Sequence, residues 1–138
     1  MQNLPFNNAL ALDLGEARIG VARGSSMAKI AEGLTTLLVD GNEVEQLKKL
    51  VEEHDIDLLV VGIPRNQAGE PTEQTKKVFT RAEELADELQ LPLQYQDESL
   101  TSVAAEKLLN QRGERYDKGD VDRVAAEIIM QDFLDRIR

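Results

Sequence analysis

The sequence predicts an α/β fold, in which a mixed five-stranded sheet carries helices on its faces. Short apolar runs with the period of a strand alternate with longer segments that have helical apolar spacing. Three strand-like runs come first, and two strand–helix units follow. Such units add parallel strands through right-handed crossovers, so we expect three antiparallel strands and then two parallel ones. The length of 138 residues predicts a single domain, 1–138.

The strands are predicted from alternation and from turn residues. Residues 9–14 and 18–25 form a hairpin around Gly15–Ala17, and residues 33–40 form the third strand. Residues 57–64 (DLLVVGIP) are almost wholly apolar, which is typical of a strand buried on both faces. Residues 92–99 form the last strand.

The helices are predicted from apolar stripes and capping residues. Asn42 begins the first helix, with Glu45 three residues later as in a capping box. A second helix covers 72–89, and a third runs from residue 101 or 102 to a stop at Gly113. The last helix is capped by Asp120 and continues to about residue 137.

Composition excludes several kinds of site. The chain has no cysteine, which excludes disulfides, thiolate metal ligands and a cysteine nucleophile, and its single histidine, His54, excludes sites that need two. The formal charge of −10 argues against a broad nucleic-acid-binding surface but allows a local basic patch. No apolar run approaches the ~20 residues of a membrane helix, and no secretory signal is visible. We therefore expect a cytoplasmic protein that does not contact membranes.

Four carboxylates stand where elements end or begin. Asp13 closes the first strand, Asp97 and Glu98 close the last strand, and Asp122 lies in the first turn of the final helix. Each has a structural alternative: an Asx turn for Asp13, a solvated strand end for the pair, and the helix dipole for Asp122. Together they can converge on one point, where oxygen ligands suit Mg²⁺. Two such ions about 3.5–4 Å apart would support phosphodiester hydrolysis.

Basic and aromatic residues lie beside these carboxylates in the chain. The segment 113–119 leads directly into the last helix, two arginines flank the second strand, and two polar residues follow the buried fourth strand. The segment 113–119 could equally be a solvated connection between helices. The candidate nucleic-acid contacts are Arg18, Arg23, Arg65, Asn66, Arg112, Arg115, Tyr116 and Lys118.

Four blocks together resemble one family: DLGEARIGVARG (13–24), VVGIPRNQAGE (60–70), DESLTS (97–102) and KGDVDRVAAEIIMQDFL (118–134). They are similar to the YqgF family, also called RuvX, of pre-16S ribosomal RNA nucleases, earlier described as Holliday-junction resolvases. The resemblance implies a ribonuclease-H-like fold and Mg²⁺- or Mn²⁺-dependent phosphodiester hydrolysis. By position, Asp13, the Asp97–Glu98 pair and Asp122 match the family's acidic residues, and Arg18 and Gly20 match its first block.

Two departures bear on function. The family usually has an arginine after the acidic pair, where this chain has Ser99. If that arginine contacts phosphate, this chain must use Arg18, Arg112 or Arg115 instead, or bind less tightly. True resolvases of the superfamily place a glutamate at the end of the fourth strand, where this chain has Gly62. The third carboxylate must then come from the acidic pair. We favour Glu98 over Asp97, so the expected metal ligands are Asp13, Glu98 and Asp122.

The favoured function is a metal-dependent nuclease that processes the 5′ end of precursor 16S rRNA during ribosome biogenesis. The alternatives are a Holliday-junction-resolving DNA endonuclease and a non-catalytic nucleic-acid-binding module. An actin-like ATP-binding protein shares the Asp-x-Gly opening, but it needs a second such half, for which 138 residues leave no room. We expect a monomer or a weak homodimer, with precursor rRNA as the favoured partner and branched DNA as the other.

Overall fold

The computed structural model describes residues 5–64, 70–98, 101–113 and 115–137. The element bounds, in chain order, are β1 Asn8–Leu14, β2 Arg18–Ser25, β3 Ala31–Leu38, α1 Glu43–Glu53, β4 Leu58–Pro64, α2 Glu73–Leu89, β5 Leu93–Glu98, α3 Thr101–Arg112 and α4 Lys118–Arg136.

The five strands form one mixed sheet in the order β3-β2-β1-β4-β5. The first three strands pair antiparallel, whereas β1 with β4 and β4 with β5 pair parallel. This arrangement confirms the predicted fold class. It puts the carboxyl ends of β1, β4 and β5 at the same edge of the sheet, which is where ligands of α/β sheets usually bind.

Helices cover both faces of the sheet. Alternation in β1 directs Leu10 and Leu12 towards the side of α1 and α2, while Ala9 and Ala11 face α4. Helix α3 packs on α4 rather than on the sheet. Because β4 is covered on both sides, every one of its residues except the last is buried, which explains its apolar sequence.

Helix α4 begins earlier than the sequence predicts. Its N-cap is Asp117, whose side chain accepts a hydrogen bond from the backbone N–H of Asp120, while the Asp120 carboxylate accepts one from the N–H of Asp117. The prediction that Asp120 is the cap is therefore wrong, because Asp120 is the reciprocal partner in the capping box. The earlier start places Asp122 in the second turn rather than the first.

Helix α1 also lacks its predicted cap. Asn42 stands at the N-cap position but makes no side-chain capping hydrogen bond. Instead, the Glu43 carboxylate accepts from the backbone N–H of Gly41, and Arg81 of α2 pairs with it at 3.3 Å. These partners keep the buried Glu43 charged, and its pKa is lowered by hydrogen bonds from backbone N–H groups.

Strand β3 covers 31–38 rather than the predicted 33–40, because Ala31 and Glu32 still pair with Gly24 and Arg23 of β2. In the part of the chain that the structure describes, no helix is both long enough and apolar enough to span a membrane.

Candidate active site

Asp13 lies at the carboxyl edge of the sheet, on the face that α4 covers. It is directly opposite Gly20 of β2 in the antiparallel pairing. Its side chain is largely buried, and burial raises its pKa to about 6, with the charge of Asp122 as the second cause. A buried carboxylate next to a second carboxylate is unfavourable unless a cation or a proton compensates it.

Close packing of α4 on β2 brings Asp122 to this edge. A Cβ atom at Gly20 would overlap the backbone carbonyl oxygen of Asp122, so only glycine allows the helix to lie this close. One turn earlier, the Thr36 hydroxyl of β3 donates a hydrogen bond to the carbonyl oxygen of Gly119. The backbone of Asp122 is thus fixed against two strands.

The Asp122 side chain has a single strong partner among the contacts the structure describes. Its Oδ2 accepts a hydrogen bond from Nε of Arg18 at 2.5 Å, and the two side chains are 20% and 34% exposed. Ala125 and Ile129, three and seven residues later, are buried, which confirms that Asp122 lies on the inward side of α4. Because Asp122 is beyond the first turn, the helix dipole does not account for its position.

The two members of the acidic pair lie on opposite faces of β5. Glu98 is in register with Pro64 and follows Gln96, which accepts a hydrogen bond from Arg136 of α4, so Glu98 shares the face of Asp13. Asp97 follows Tyr95, which packs into the core on the α2 side. Alternation along the strand therefore favours Glu98 as the residue able to join a site with Asp13.

Glu98 nevertheless lies near a different part of α4. Burial raises its pKa, and a hydrogen bond and the charge of Asp132 raise it further. Asp132 is ten residues after Asp122, or about 15 Å along the helix. Among the described residues, no three acidic or histidine side chains are grouped closely enough to hold a metal ion together. The place of Glu98 in a metal site stays a prediction.

Asp132 is the polar neighbour that the sequence analysis missed. It is exposed, and it follows the buried Ile129 at a spacing of three residues, which is the signal that could have indicated its side of the helix. Nearby, Oε1 of Glu98 is buried without a hydrogen-bond partner in the described structure.

Gly62, near the end of β4, is closed by α4. A Cβ atom there would overlap Cδ1 of Ile129. A glutamate side chain at this position would therefore have to displace the side chain of Ile129. The packing of Ile129 on Gly62 therefore agrees with the presence of a glycine at the position where true resolvases have a glutamate.

Three predicted nucleic-acid contacts already have protein partners. Arg18 pairs with Asp122, as described above. Arg23 pairs with the exposed Glu32 at 2.9 Å, and Arg112 pairs with Glu127 at 3.2 Å. A phosphate must compete with these carboxylates.

The remaining predicted contacts differ in exposure. Arg115 and Lys118 are exposed at the start of α4. Tyr116 is half-buried and packs against the cluster between α3 and α4, which limits its freedom to stack on a base. Arg65 and Asn66 lie outside the described residues, as does Ser99.

Comparison with known proteins agrees with this geometry. The family model RuvX, described as Holliday junction resolvase, matches residues 7–136. A protein of Synechocystis sp. named "Putative pre-16S rRNA nuclease" is 47% identical over 131 residues, covering 92% of this chain and 86% of the relative. A protein of the same name from Chloroflexus aurantiacus is 43% identical over 133 residues, covering 94% and 87%.

A solved structure shows the same fold. T. thermophilus RuvC, in complex with a Holliday junction substrate, superposes with a TM-score of 0.55 at 10% identity and covers 95% of this chain and 96% of its own. This likeness supports the ribonuclease-H-like fold, and the sequence relatives and the family model establish the closer relationship. The chain therefore belongs to the RuvX family.

Proposed function

We propose that this protein is a divalent-metal-dependent nuclease that hydrolyses phosphodiester bonds in precursor 16S rRNA. The observation that carries the proposal is the adjacency of Asp13 and Asp122 at the carboxyl edge of the sheet. Burial and the nearby charge of Asp122 raise the pKa of Asp13, so a cation at this edge would stabilise its ionised form. A member of a nuclease family with such a pair at its motif positions is best explained as a phosphodiesterase.

The donor chemistry fits Mg²⁺ or Mn²⁺. Asp13 and Asp122 offer only oxygen atoms, and Mg²⁺ binds through one or two carboxylates while keeping several waters. When bound, such an ion would supply an activated water and neutralise charge on the phosphate. We assign Glu98 as the third carboxylate of a two-ion arrangement, because it is on the face of Asp13 and Asp97 is not. Asp13 and Asp122 would hold such an ion.

The distribution of charge supports binding of a polyanion at this edge. The residues on and around α1 carry exposed acids, and α1 lies on the opposite face of the sheet from α4. These acids are Asp40, Glu45, Glu52, Glu53 and Asp55. Arg18, Arg115 and Lys118 lie on or next to the elements that hold Asp13 and Asp122. Part of the −10 charge therefore lies on the face of the sheet away from α4.

RNA is favoured over branched DNA for two reasons. The sequence relatives are named for precursor 16S rRNA, and α4 closes the position at which true resolvases place a glutamate. Resolution of a Holliday junction is the second candidate, supported by the description of the family model. We further propose that residues 1–138 act as one domain, as a monomer or weak homodimer, in the cytoplasm.

Cleavage by the purified protein tests the proposal. A precursor 16S rRNA 5′ end and a four-way DNA junction are each incubated with Mg²⁺, Mn²⁺ or EDTA. We expect metal-dependent cleavage of the RNA, loss of cleavage in Asp13→Asn, and no change in Asp87→Asn, which removes an exposed charge from α2 on the other side of the sheet. Cleavage of the junction alone would favour the resolvase, and EDTA-resistant cleavage of RNA would contradict the metal site.

A further inference from the structure

We propose that Arg18 is exchanged between Asp122 and the substrate, so that occupation of the metal site releases it to bind a phosphate. The proposal rests on the proposed function, since it takes Asp13 and Asp122 as the ligands of a divalent ion. It goes further by assigning Arg18 a role that couples metal binding to nucleic-acid binding.

The first observation is that Arg18 masks the carboxylate that a metal would need. Its Nε donates to Oδ2 of Asp122 at 2.5 Å, which is a short, charge-assisted hydrogen bond. The backbone of Asp122 is held by the contact with Gly20, so this carboxylate cannot leave the edge of the sheet to find another partner. A cation that binds Asp122 must compete with the guanidinium for its oxygen atoms.

The second observation is that Arg18 neutralises only one of the two carboxylates. Asp13 lies at the same edge of the sheet, near the end of β1 and directly opposite Gly20. A divalent ion held by the two carboxylates would supply enough charge for both, and the guanidinium would then be redundant at Asp122.

The third observation is that the released side chain remains at the substrate edge. Arg18 is the first residue of β2, immediately after the turn that follows Asp13, and about one third of its side chain is exposed. A guanidinium there presents the planar, forked donors that suit a phosphate. Thermodynamic linkage then requires that the metal tighten nucleic-acid binding and that nucleic acid tighten metal binding by the same factor.

Arginine Nε spectra report the exchange directly. In metal-free protein we expect the Nε–H resonance of Arg18 to show the shift of a carboxylate hydrogen bond, and added Mg²⁺ should move it towards the position of a free guanidinium. Arg23, on the same strand as Arg18, is the internal control, since its Nε pairs with Glu32 of β3 at 2.9 Å. Its resonance should not respond to Mg²⁺. In the Asp13→Asn variant, the Arg18 resonance should also stay unchanged when Mg²⁺ is added.

Binding measurements separate masking from simple support of Asp122. In Arg18→Gln, calorimetry should show Mg²⁺ binding about three- to tenfold tighter than in the parent, because Asp122 is unmasked. Lys48→Gln, which removes a charge from the exposed face of α1, is the matched control and should bind Mg²⁺ as the parent does. If Arg18 merely supported Asp122, its loss would weaken Mg²⁺ binding.

The second test measures how the binding of a labelled single-stranded RNA by the protein depends on salt concentration. The slope of the logarithm of the RNA-binding constant against the logarithm of salt concentration should be shallower by about 0.7 in Arg18→Gln, which is the contribution of one phosphate. We expect this change in Mg²⁺ but not in EDTA. RNA integrity is checked on a gel after each titration. Weaker or unchanged Mg²⁺ binding in Arg18→Gln, or an equal loss of slope with and without Mg²⁺, overturns the exchange alone. A parent protein that binds no divalent ion overturns the proposed function as well.

Discussion

Replacement of Asp13 by asparagine is expected to stabilise the metal-free protein while abolishing cleavage. The folded-state pKa of about 6 lies above the ordinary value of 3.8, so the folded protein binds more protons than the unfolded chain between these values. The contribution of the Asp13 carboxyl group to the stability is therefore fully present below pH 3.8 and is lost as the pH rises through 6. At roughly 1.4 kcal/mol per pH unit, the full cost of the ionised side chain is about 3 kcal/mol.

Asparagine has no such titration, so the free energy of unfolding should differ between the variant and the parent in a pH-dependent way. We expect Asp13→Asn to be more stable by about 3 kcal/mol at pH 7.5 and by about 1 kcal/mol at pH 4.5. Urea unfolding in EDTA at both pH values measures this difference. Asp87→Asn, which removes an exposed carboxylate of α2, is measured alongside as the control.

Saturating Mg²⁺ should reverse the order of stability. A ligand that binds only the folded state stabilises it by RT ln(1 + [L]/Kd), and only the parent retains both carboxylates of the site. A stability difference that does not change between pH 4.5 and pH 7.5 would refute the electrostatic reasoning. So would an Asp13→Asn protein that is less stable than the parent at pH 7.5 in EDTA.

Three further substitutions probe the site. Gly20→Ala should cost at least about 2 kcal/mol in urea unfolding and reduce cleavage, because the new methyl group displaces Asp122. Glu98→Gln should reduce the rate of RNA cleavage far more than Asp97→Asn, and the opposite ranking would transfer the third-ligand role to Asp97. Arg115→Ala should weaken RNA binding and lower the slope of its salt dependence by about 0.7 without changing Mg²⁺ affinity. An unchanged slope in fluorescence polarisation would show that Arg115 does not contact a phosphate.

Local patterns were sufficient for the type and order of the helices and strands and for the sheet. The apolar run of β4 indicated a strand covered on both faces, and the order of strands and helices implied three antiparallel strands followed by two parallel ones. The choice between Asp117 and Asp120 as the cap of α4 was not accessible in this way. Either aspartate can accept a backbone hydrogen bond, and the decision depends on where the helix meets β3.

The sequence by itself determined which residues are available for chemistry. The absence of cysteine and the single histidine left carboxylates as the metal ligands, and strand alternation placed Glu98 and Asp97 on opposite faces. Only the tertiary structure decided which of these residues meet. The pairing of Arg18 with Asp122 spans 104 positions in the chain, and that of Glu98 with Asp132 depends on how α4 crosses the sheet. Such contacts follow from the packing of one helix against five strands, which no local pattern of residues encodes.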